Sequence, residues 1–412
     1  MKARKTLGEL AEDITVGYVG SMATEYIENG IPFLRSLNVK PYCYDPSDIK
    51  YVSREFHNKI KKSALKPGDV VAVRTGNPGA SCVIPEELPE ANCSDLVIIR
   101  CGEKLDPYFV SYYINSVTHS HVKNQLVGAI QKHFNIGSAK ELPFPDLEKE
   151  QQAEISSVLR SIDQKIELNN RVNAELEAMA KTLYDYWFVQ FDFPDENGKP
   201  YKASGGKMVY NEVLKREIPE EWGDTTIGKL ESDIITGKTP PKKKTEYFDG
   251  DVPFITIGDI RDNTFIVDTE KTLTIQGADS QSNKYLPEDA ICVTCIASPG
   301  LVGFVTERSQ TNQQINTVDC KKEYNRYFLF FSIKAYFSGA KAKTGNTFAN
   351  MNKGDFSDIV LTEPDENILK LFHQHVFPMF SQIKVHSKEN SKLKKLRDWL
   401  LPMLMSGQVT VN

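Results

Sequence analysis

The sequence predicts an α+β protein with an internal pseudo-two-fold repeat: two strand-rich mixed α/β domains separated by two long antiparallel coiled-coil helices. Three observations support this fold class. The chain has 412 residues, which is too long for one ordinary hydrophobic core. Its first half recurs in its second half, and each half changes from strand-like runs to a long helical pattern.

An ordered series of matching segments indicates a tandem duplication. The segment TLGEL at 6–10 returns as TIGKL at 226–230, and LKPGD at 65–69 returns as YLPED at 285–289. Further matches follow in the same order along the chain, which a chance similarity at one place would not produce. The two halves are therefore predicted to share one fold.

Each half has the same two-part pattern. Short β-branched and aromatic runs bounded by Gly, Pro, Asn and Asp predict buried strands, and long stretches free of Gly predict helices. A turn-rich stretch lies between the halves. We therefore predict five segments: a first strand-rich domain at 1–145, a first spacer helix at 146–192, a linker at 193–205, a second strand-rich domain at 206–362 and a second spacer helix at 363–412.

Both helical stretches show the seam of a coiled coil. Apolar residues from Ile155 to Trp187 and from Phe372 to Leu404 recur with a period near 3.5 residues. Charge favours pairing of the two helices, because 148–190 is net acidic and 366–405 is net basic. The alternative is two independent amphipathic helices, each packed on its own domain.

Both seams are polar at the same central place. The first helix has Asn169 and Asn173 there, and the second has His386 and Asn390. A buried Asn costs least opposite another hydrogen-bonding group, and polar core positions fix register in coiled coils. Antiparallel pairing then predicts Asn169 opposite Asn390 and Asn173 opposite His386. The alternative is that these positions mark a wet gap or face a partner protein.

Several motifs occur together in this chain. They are IPEEW at 218–222, ITGKTP at 235–240, YFDGDVPFI at 247–255, and LPFP at 142–145 followed by EQQ at 150–152. In this combination the chain resembles the specificity subunits of type I restriction-modification enzymes over essentially its whole length. It departs from the pattern in two places: the second helix lacks the Glu-Gln pair, and the first half has GYVG at 17–20 in place of the Lys-Thr-Pro turn.

The resemblance implies a sequence-specific DNA-binding subunit without chemistry of its own. Each strand-rich domain would be a target-recognition domain that reads one half of a bipartite double-stranded DNA target. The helices would set the spacing and dock two copies of a DNA methyltransferase subunit, and a restriction/translocase subunit would complete the complex. S-adenosylmethionine, Mg and ATP are then expected on the partner subunits only, with no cofactor on this chain.

The residues themselves show no catalytic motif. A phosphate-binding GxxxxGK[ST] loop is absent from the sequence. Cys292 and Cys295 lack a second cysteine pair at zinc-site spacing. A run of 18 apolar residues is also absent, and seven cysteines without framework spacing favour a reducing cytoplasm. The alternatives are a stand-alone DNA methyltransferase or nuclease, and a protein-binding coiled-coil scaffold.

DNA binding by this chain requires local positive charge, because its formal net charge is −5. Base readout requires hydrogen-bonding side chains on loops that reach a groove. For each candidate, the alternative is a solvated residue or a turn residue that bonds its own backbone. The candidates in the first half are Arg74, Thr75, Asn77, Gln131, Lys132 and His133, and those in the second half are Lys238, Thr239, Lys242, Lys243, Lys244, Lys341, Lys343, Asn346 and Thr347.

Overall fold

The structure, a computed structural model, describes residues 5–123, 134–344 and 350–405. The chain forms two compact units. The first comprises Met1–Ile166 with Leu393–Asn412, and the second comprises Glu167–Lys392. Each unit therefore contains one of the predicted strand-rich domains together with a part of both long helices.

The first unit is built from short strands that form two main sheets. Its strands are β1 (Asp13–Val16), β2 (Tyr26–Ile27), β3 (Ile31–Leu34), β4 (Val39–Lys40), β5 (Cys43–Tyr44), β6 (Lys50–Val52), β7 (Ala64–Leu65), β8 (Val70–Val73), β9 (Ser81–Val83), β10 (Ala91–Cys93) and β11 (Leu96–Arg100). The sheet orders are β1-β11-β8-β9 and β2-β6-β3-β10-β7, with β4 and β5 paired separately. Its helices are α1 (Leu7–Leu10), α2 (Arg54–Lys59), α3 (Pro107–Lys123) and α4 (Ile136–Lys140), and the long α5 (Lys149–Tyr184) begins in it.

The second unit repeats this plan. We call β1-β11-β8-β9 the principal sheet of the first unit, and the corresponding principal sheet of the second unit has five strands. Its strands are β12 (Met208–Asn211), β13 (Arg216–Pro219), β14 (Gly223–Thr226), β15 (Ile234–Thr236), β16 (Phe248–Ile255), β17 (Phe265–Ile266), β18 (Lys271–Leu273), β19 (Ile291–Thr294), β20 (Val302–Val305), β21 (Gln310–Thr311), β22 (Ile315–Val318) and β23 (Val360–Glu363). The sheet orders are β15-β22-β19-β20-β17 and β18-β16-β21, and the pairs β12-β13 and β14-β23 stand apart. Its helices are α6 (Ile227–Leu230), α7 (Ile257–Ile260), α8 (Ile275–Asp279), α9 (Arg326–Thr344) and α10 (Lys353–Ser357), and the long α11 (Glu366–Met405) begins in it.

The principal sheets confirm the internal repeat. The order β1-β11-β8-β9 corresponds to β15-β22-β19-β20, with the same antiparallel pairing between successive strands. Every residue of β8 and β19 is buried, as the apolar runs predicted. Central strands covered on both faces are apolar along their whole length, so period-two alternation is absent from them.

Each unit has its own core, to which both long helices contribute. In the first unit, Leu159 of α5 and Leu404 of α11 join the core that contains β8 and β11. In the second unit, Tyr184 of α5 and Phe372 of α11 join a core rich in aromatic residues. The early part of α5 thus packs with the late part of α11 inside one unit, and the late part of α5 packs with the early part of α11 inside the other.

The stretch predicted as a linker packs closely against the second core. Phe193 is buried and stacks on Tyr201 and Trp222, with ring centroids 4.8 and 4.7 Å away. The chain reaches this stretch through a π-helical turn at Asp185–Val189 that follows α5. These residues therefore form an ordered connection, because apolar burial offsets the entropy of fixing the backbone.

Candidate nucleic-acid interface

One edge of the principal sheet brings several loops of the first unit together. Strands β1 and β8 end at this edge, and β11 and β9 begin there. The Gly17 amide donates to the Leu96 carbonyl at 2.8 Å, and the Gly79 amide donates to the Val73 carbonyl at 2.9 Å. We call residues 17–18, 74–80 and 94–95 the first edge.

Arg74 is the charged centre of the first edge. Its Nη1 donates to Asp95 Oδ1 in an ion pair, while its Nε is buried without a hydrogen-bond partner among the described residues. Thr75 and Asn77 are exposed at the tip of the same loop. The structure therefore brings these three candidates together and shows that an acidic neighbour holds the arginine. A carboxylate that fixes a guanidinium restricts the direction of its remaining N–H donors.

Several candidates cannot be placed in an interface by the structure. Gln131, Lys132, His133, Asn346 and Thr347 lie outside the described residues, so their proposed role stays a prediction. Lys341 and Lys343 lie in α9, and their side chains are also outside the description.

The corresponding edge of the second unit contains Lys238 and Thr239. Strands β15 and β19 end at this edge, and β22 and β20 begin there. The Lys238 amide donates to the Thr311 carbonyl at 2.9 Å, and the Thr239 hydroxyl donates to Gln313 Oε1 at 2.8 Å. We call residues 237–239, 295–301 and 312–314 the second edge.

Three lysines follow the second edge along the chain. Lys242 and Lys243 are exposed, and among the described residues no carboxylate pairs with either. Lys244 Nζ donates to the Tyr247 hydroxyl at 2.8 Å, and this hydrogen bond raises the pKa of Lys244 above its usual range. Lys242 and Lys243 are therefore better placed than Lys244 to contact a phosphate.

Sequence reasoning missed two parts of the second edge. The loop at 295–301 corresponds to the Arg74 loop, and the repeated Pro-Gly pair at 299–300 could have identified it. Gln313 had no such signal. It is 74 residues from Thr239 in sequence and becomes its neighbour only through the sheet.

The polar positions of the helical seam meet one another within the second unit. Asn169 Nδ2 donates to Asn390 Oδ1 at 2.8 Å and to Glu389 Oε2 at 2.7 Å. His386 Nδ1 lies 2.8 Å from Asn173 Oδ1. Asn169 is 1% exposed and Asn390 is 6% exposed. The structure thus brings the four residues together in the two predicted pairs, and hydrogen bonds offset the cost of burying the amides.

The described residues offer no evident site for metal or nucleophilic chemistry. They contain no group of three or more His, Cys, Asp or Glu side chains that could hold a metal ion. Burial raises the pKa of Cys292 to about 12 and the pKa of Cys295 to about 11. Both thiols therefore stay protonated at neutral pH, and a protonated thiol is a poor nucleophile and a poor metal ligand. None of the helices in the described ranges is long and apolar enough to cross a bilayer.

Comparison with known proteins finds one family in both halves of the chain. Residues 5–178 and residues 219–395 match the type I restriction modification DNA specificity domain. The two matches together cover most of the chain, and each contains most of one strand-rich domain and a large part of one long helix.

Whole-chain relatives show the same likeness. The chain is 32% identical to the type I restriction enzyme HindI specificity subunit of Haemophilus influenzae, over 84% of this chain and 88% of that protein. It is 24% identical to the MjaIX specificity subunit of Methanocaldococcus jannaschii, over 100% of this chain and 94% of that protein. Its fold is similar to that of a type I restriction-modification S subunit from M. genitalium, with a TM-score of 0.54 at 14% identity, covering 98% of this chain and 96% of the other.

Proposed function

This chain belongs to the type I restriction-modification DNA specificity family, and from that premise we propose that it reads a bipartite double-stranded DNA target, one half with each recognition domain. As a specificity subunit, it recognises DNA sequence and is a non-catalytic part of a complex with methyltransferase and restriction subunits. The division of the target between the two domains is the finer statement that requires a test.

The relation between the two sheet edges is the observation that supports this proposal. Both edges have the same backbone connections, and each presents exposed polar side chains. The side chains differ, with Arg74 and Asp95 on the first edge and Thr239 and Gln313 on the second. Duplicated readers of two different half-sites need a common scaffold and different hydrogen-bonding groups.

Phosphate contacts are needed to hold these edges on DNA. Lys238, Lys242 and Lys243 supply exposed positive charge beside the second edge. Such lysines add affinity and salt dependence to binding without adding sequence preference. Because the formal net charge of this chain is −5, we propose that the methyltransferase subunits supply further contacts to the DNA backbone.

The long helices are the proposed docking surface for the partner subunits. Large apolar side chains are exposed on both, including Met179 of α5 and Val385 and Trp399 of α11. Contiguous apolar surface is typical of protein interfaces, and we propose that these side chains contribute to such surfaces. We propose that two methyltransferase subunits and a restriction/translocase subunit join this chain in a complex in the cytoplasm, and that S-adenosylmethionine, Mg and ATP bind those partners.

An exchange of one domain tests the proposal. Residues 206–362 would be replaced by the corresponding domain of a relative with a different target, and methylated sites would be mapped across the DNA of a host that expresses the complete complex. We expect one half of the target to change and the other half to be retained.

The reciprocal exchange of 1–145 is the matched control, and it should change the opposite half. A change of both halves by either exchange would contradict the proposal. Retention of the whole original target after both exchanges would also contradict it.

A further inference from the structure

The second edge presents one exposed carboxamide in a defined orientation. Gln313 lies between β21 and β22, and its Oε1 accepts a hydrogen bond from the Thr239 hydroxyl at 2.8 Å. This bond points the oxygen toward Thr239 and leaves the Nε2 amide hydrogens directed elsewhere. Within the described ranges, no group accepts a hydrogen bond from Gln313 Nε2.

The backbone on both sides of this contact is held in place. Gln281 is buried, and its Nε2 donates to the Lys238 carbonyl at 2.7 Å. Asn312 Oδ1 accepts from the Gln314 amide at 3.0 Å, which closes a tight turn around Gln313. Gly237 allows the backbone at 237 to lie close to the backbone at 312, because a Cβ at this position would lie 2.1 Å from the Asn312 carbonyl oxygen.

Fixing a glutamine side chain in advance favours its use in recognition. A free glutamine loses rotamer entropy when a ligand orders it, and an existing hydrogen bond removes part of that cost. Gln313 Oε1 has a second lone pair that can still accept, and Nε2 can donate. The carboxamide therefore presents one acceptor and one donor side by side, toward solvent.

This pattern matches one base edge best. In the major groove, adenine presents N6–H as a donor and N7 as an acceptor, and glutamine pairs with both. Guanine presents two acceptors there, so it would leave Oε1 without a donor. Exposed Lys238 and Lys242 on the same loop supply the positive charge that phosphates require.

We infer that Gln313 contacts an adenine in the half-site read by the second recognition domain, and that Thr239 is a positioning residue for Gln313. The inference rests on the proposed function, and it adds a specificity residue and the base that this residue selects. The phosphate contacts of this half-site are assigned to Lys238 and Lys242, which are exposed on the loop that contains Thr239.

The test uses the assembled enzyme with its methyltransferase subunits, after its target has been mapped by sequencing methylated DNA. Binding is measured against duplexes in which each base pair of the second half-site is replaced in turn. In the Gln313→Ala enzyme, the ratio of affinities for the original and the replaced base pair should fall by about ten- to a hundred-fold at one A·T pair. The ratios at the other positions should stay as in the wild type. Lys243→Ala is the control, and it should weaken binding to every duplex by a similar factor.

A second pair of variants tests the positioning role. Thr239→Val removes the hydroxyl with little change of volume, and Thr239→Ser retains the hydroxyl. We expect Thr239→Val to reduce the preference at the same A·T pair that Gln313→Ala affects. Thr239→Ser should keep the wild-type preference at that pair. A purely structural role for Thr239 would lower the melting temperature without changing the preference at that single position.

The outcomes separate this inference from the proposed function. If the wild-type enzyme discriminates between duplexes and Gln313→Ala keeps the same profile, the inference is wrong and the proposed function stands. The same holds if Gln313→Ala weakens all duplexes equally while retaining the wild-type melting temperature. If Gln313→Ala unfolds, Gln313→Glu replaces it in the same comparison, since it keeps the side-chain size and removes the amide donor. A wild-type enzyme that shows no preference in this half-site would contradict both.

Discussion

The two recognition units use the same backbone at their sheet edges and present different side chains on it. The Phe134 amide donates to the Arg74 carbonyl at 3.1 Å, and the Met351 amide donates to the Cys295 carbonyl at 3.1 Å. Arg74 extends to an ion pair with Asp95, whereas Cys295 is buried and accepts from Asn316 at 3.3 Å. The comparison shows which part of the duplicated domain is common to both units and which side chains differ between them.

The same contrast appears where each unit contacts the long helices. In the first unit, Asp163 of α5 accepts from the Tyr112 hydroxyl at 2.5 Å and from Arg397 Nη1 at 2.7 Å. Phe331 and Phe380 correspond to Tyr112 and Asp163 in the second unit, and their ring centroids lie 5.8 Å apart. Burial, with the Asp163 charge, raises the pKa of Tyr112 well above its usual range, so the hydroxyl remains a donor. At this pair of corresponding positions, the first unit contacts the long helices by charge and hydrogen bonds, and the second contacts them by aromatic packing.

The largest expected effect tests the apolar contact. Phe380→Ala removes a fully buried ring and should lower the free energy of unfolding by about 3–5 kcal/mol. The measurement is urea denaturation of the full chain, followed by circular dichroism. Phe377→Ala on the same helix is the control, since Phe377 is 48% exposed and stacks on His373 at the margin of the cluster, so it should cost only about 1 kcal/mol. Equal losses in the two variants would rule out the aromatic cluster as the attachment of α11.

The next effect tests the shared backbone of the edge loops. Gly300 has φ +91°, and a Cβ there would lie 2.5 Å from Phe337 Cβ; Gly79 has φ +84°, with a Cβ 2.3 Å from Thr118 Cγ2. Gly300→Ala and Gly79→Ala should each cost about 2–4 kcal/mol, from backbone strain and overpacking. Gly76→Ala is the control, because Gly76 has a positive φ with open space around it and should cost only about 1–2 kcal/mol. If only one of the variants Gly79→Ala and Gly300→Ala lowered the free energy of unfolding, the two loops would not be equivalent.

A smaller effect tests the polar contact of the first unit. Arg397→Ala leaves the half-buried Asp163 carboxylate with one fewer donor, and it should cost about 1–3 kcal/mol. Thermal unfolding of the full chain measures this loss. Lys394→Ala, at an exposed position of the same helix, should leave the unfolding temperature nearly unchanged. Restoration of full stability by the double variant Asp163→Leu with Arg397→Leu would show that apolar packing can replace the polar contact.

The smallest expected effect concerns the three lysines that follow the second edge along the chain. Replacing Lys242, Lys243 and Lys244 together with Ala should weaken DNA binding by the assembled enzyme and reduce its salt dependence, with little change in sequence preference. The slope of log affinity against log salt should fall by about 0.9 for each phosphate that the variant no longer neutralises. Lys244→Ala alone should change the slope least, because Lys244 bonds Tyr247. An unchanged slope in the triple variant would show that these lysines form a solvated loop.

The local sequence pattern was sufficient to predict the buried strands, because the environment of these residues follows from their neighbours in sequence. The apolar runs at 70–73 and 290–293 predicted buried strands, and the repeat predicted that both halves share a sheet order. Arg74 was identified as a polar loop residue, but its ion pair with Asp95 was not, because β9 and β10 separate them along the chain. Gln313 was missed for the same reason: only the pairing of β15 with β22 brings it to Thr239.

The sequence by itself determined the duplication, the alternation of strand-rich and helical segments, and the apolar faces of both seams. The strands, helices and apolar faces follow from periodicity and composition over short stretches of sequence. The duplication follows from the similarity of segments far apart in the chain. The tertiary structure decided which polar groups meet, since a hydrogen bond depends on distances within about 3 Å between residues far apart in sequence. It also decided that Asp163 makes polar contacts where the corresponding Phe380 packs against aromatic rings, because burial and partners at corresponding positions are set by the packed neighbours.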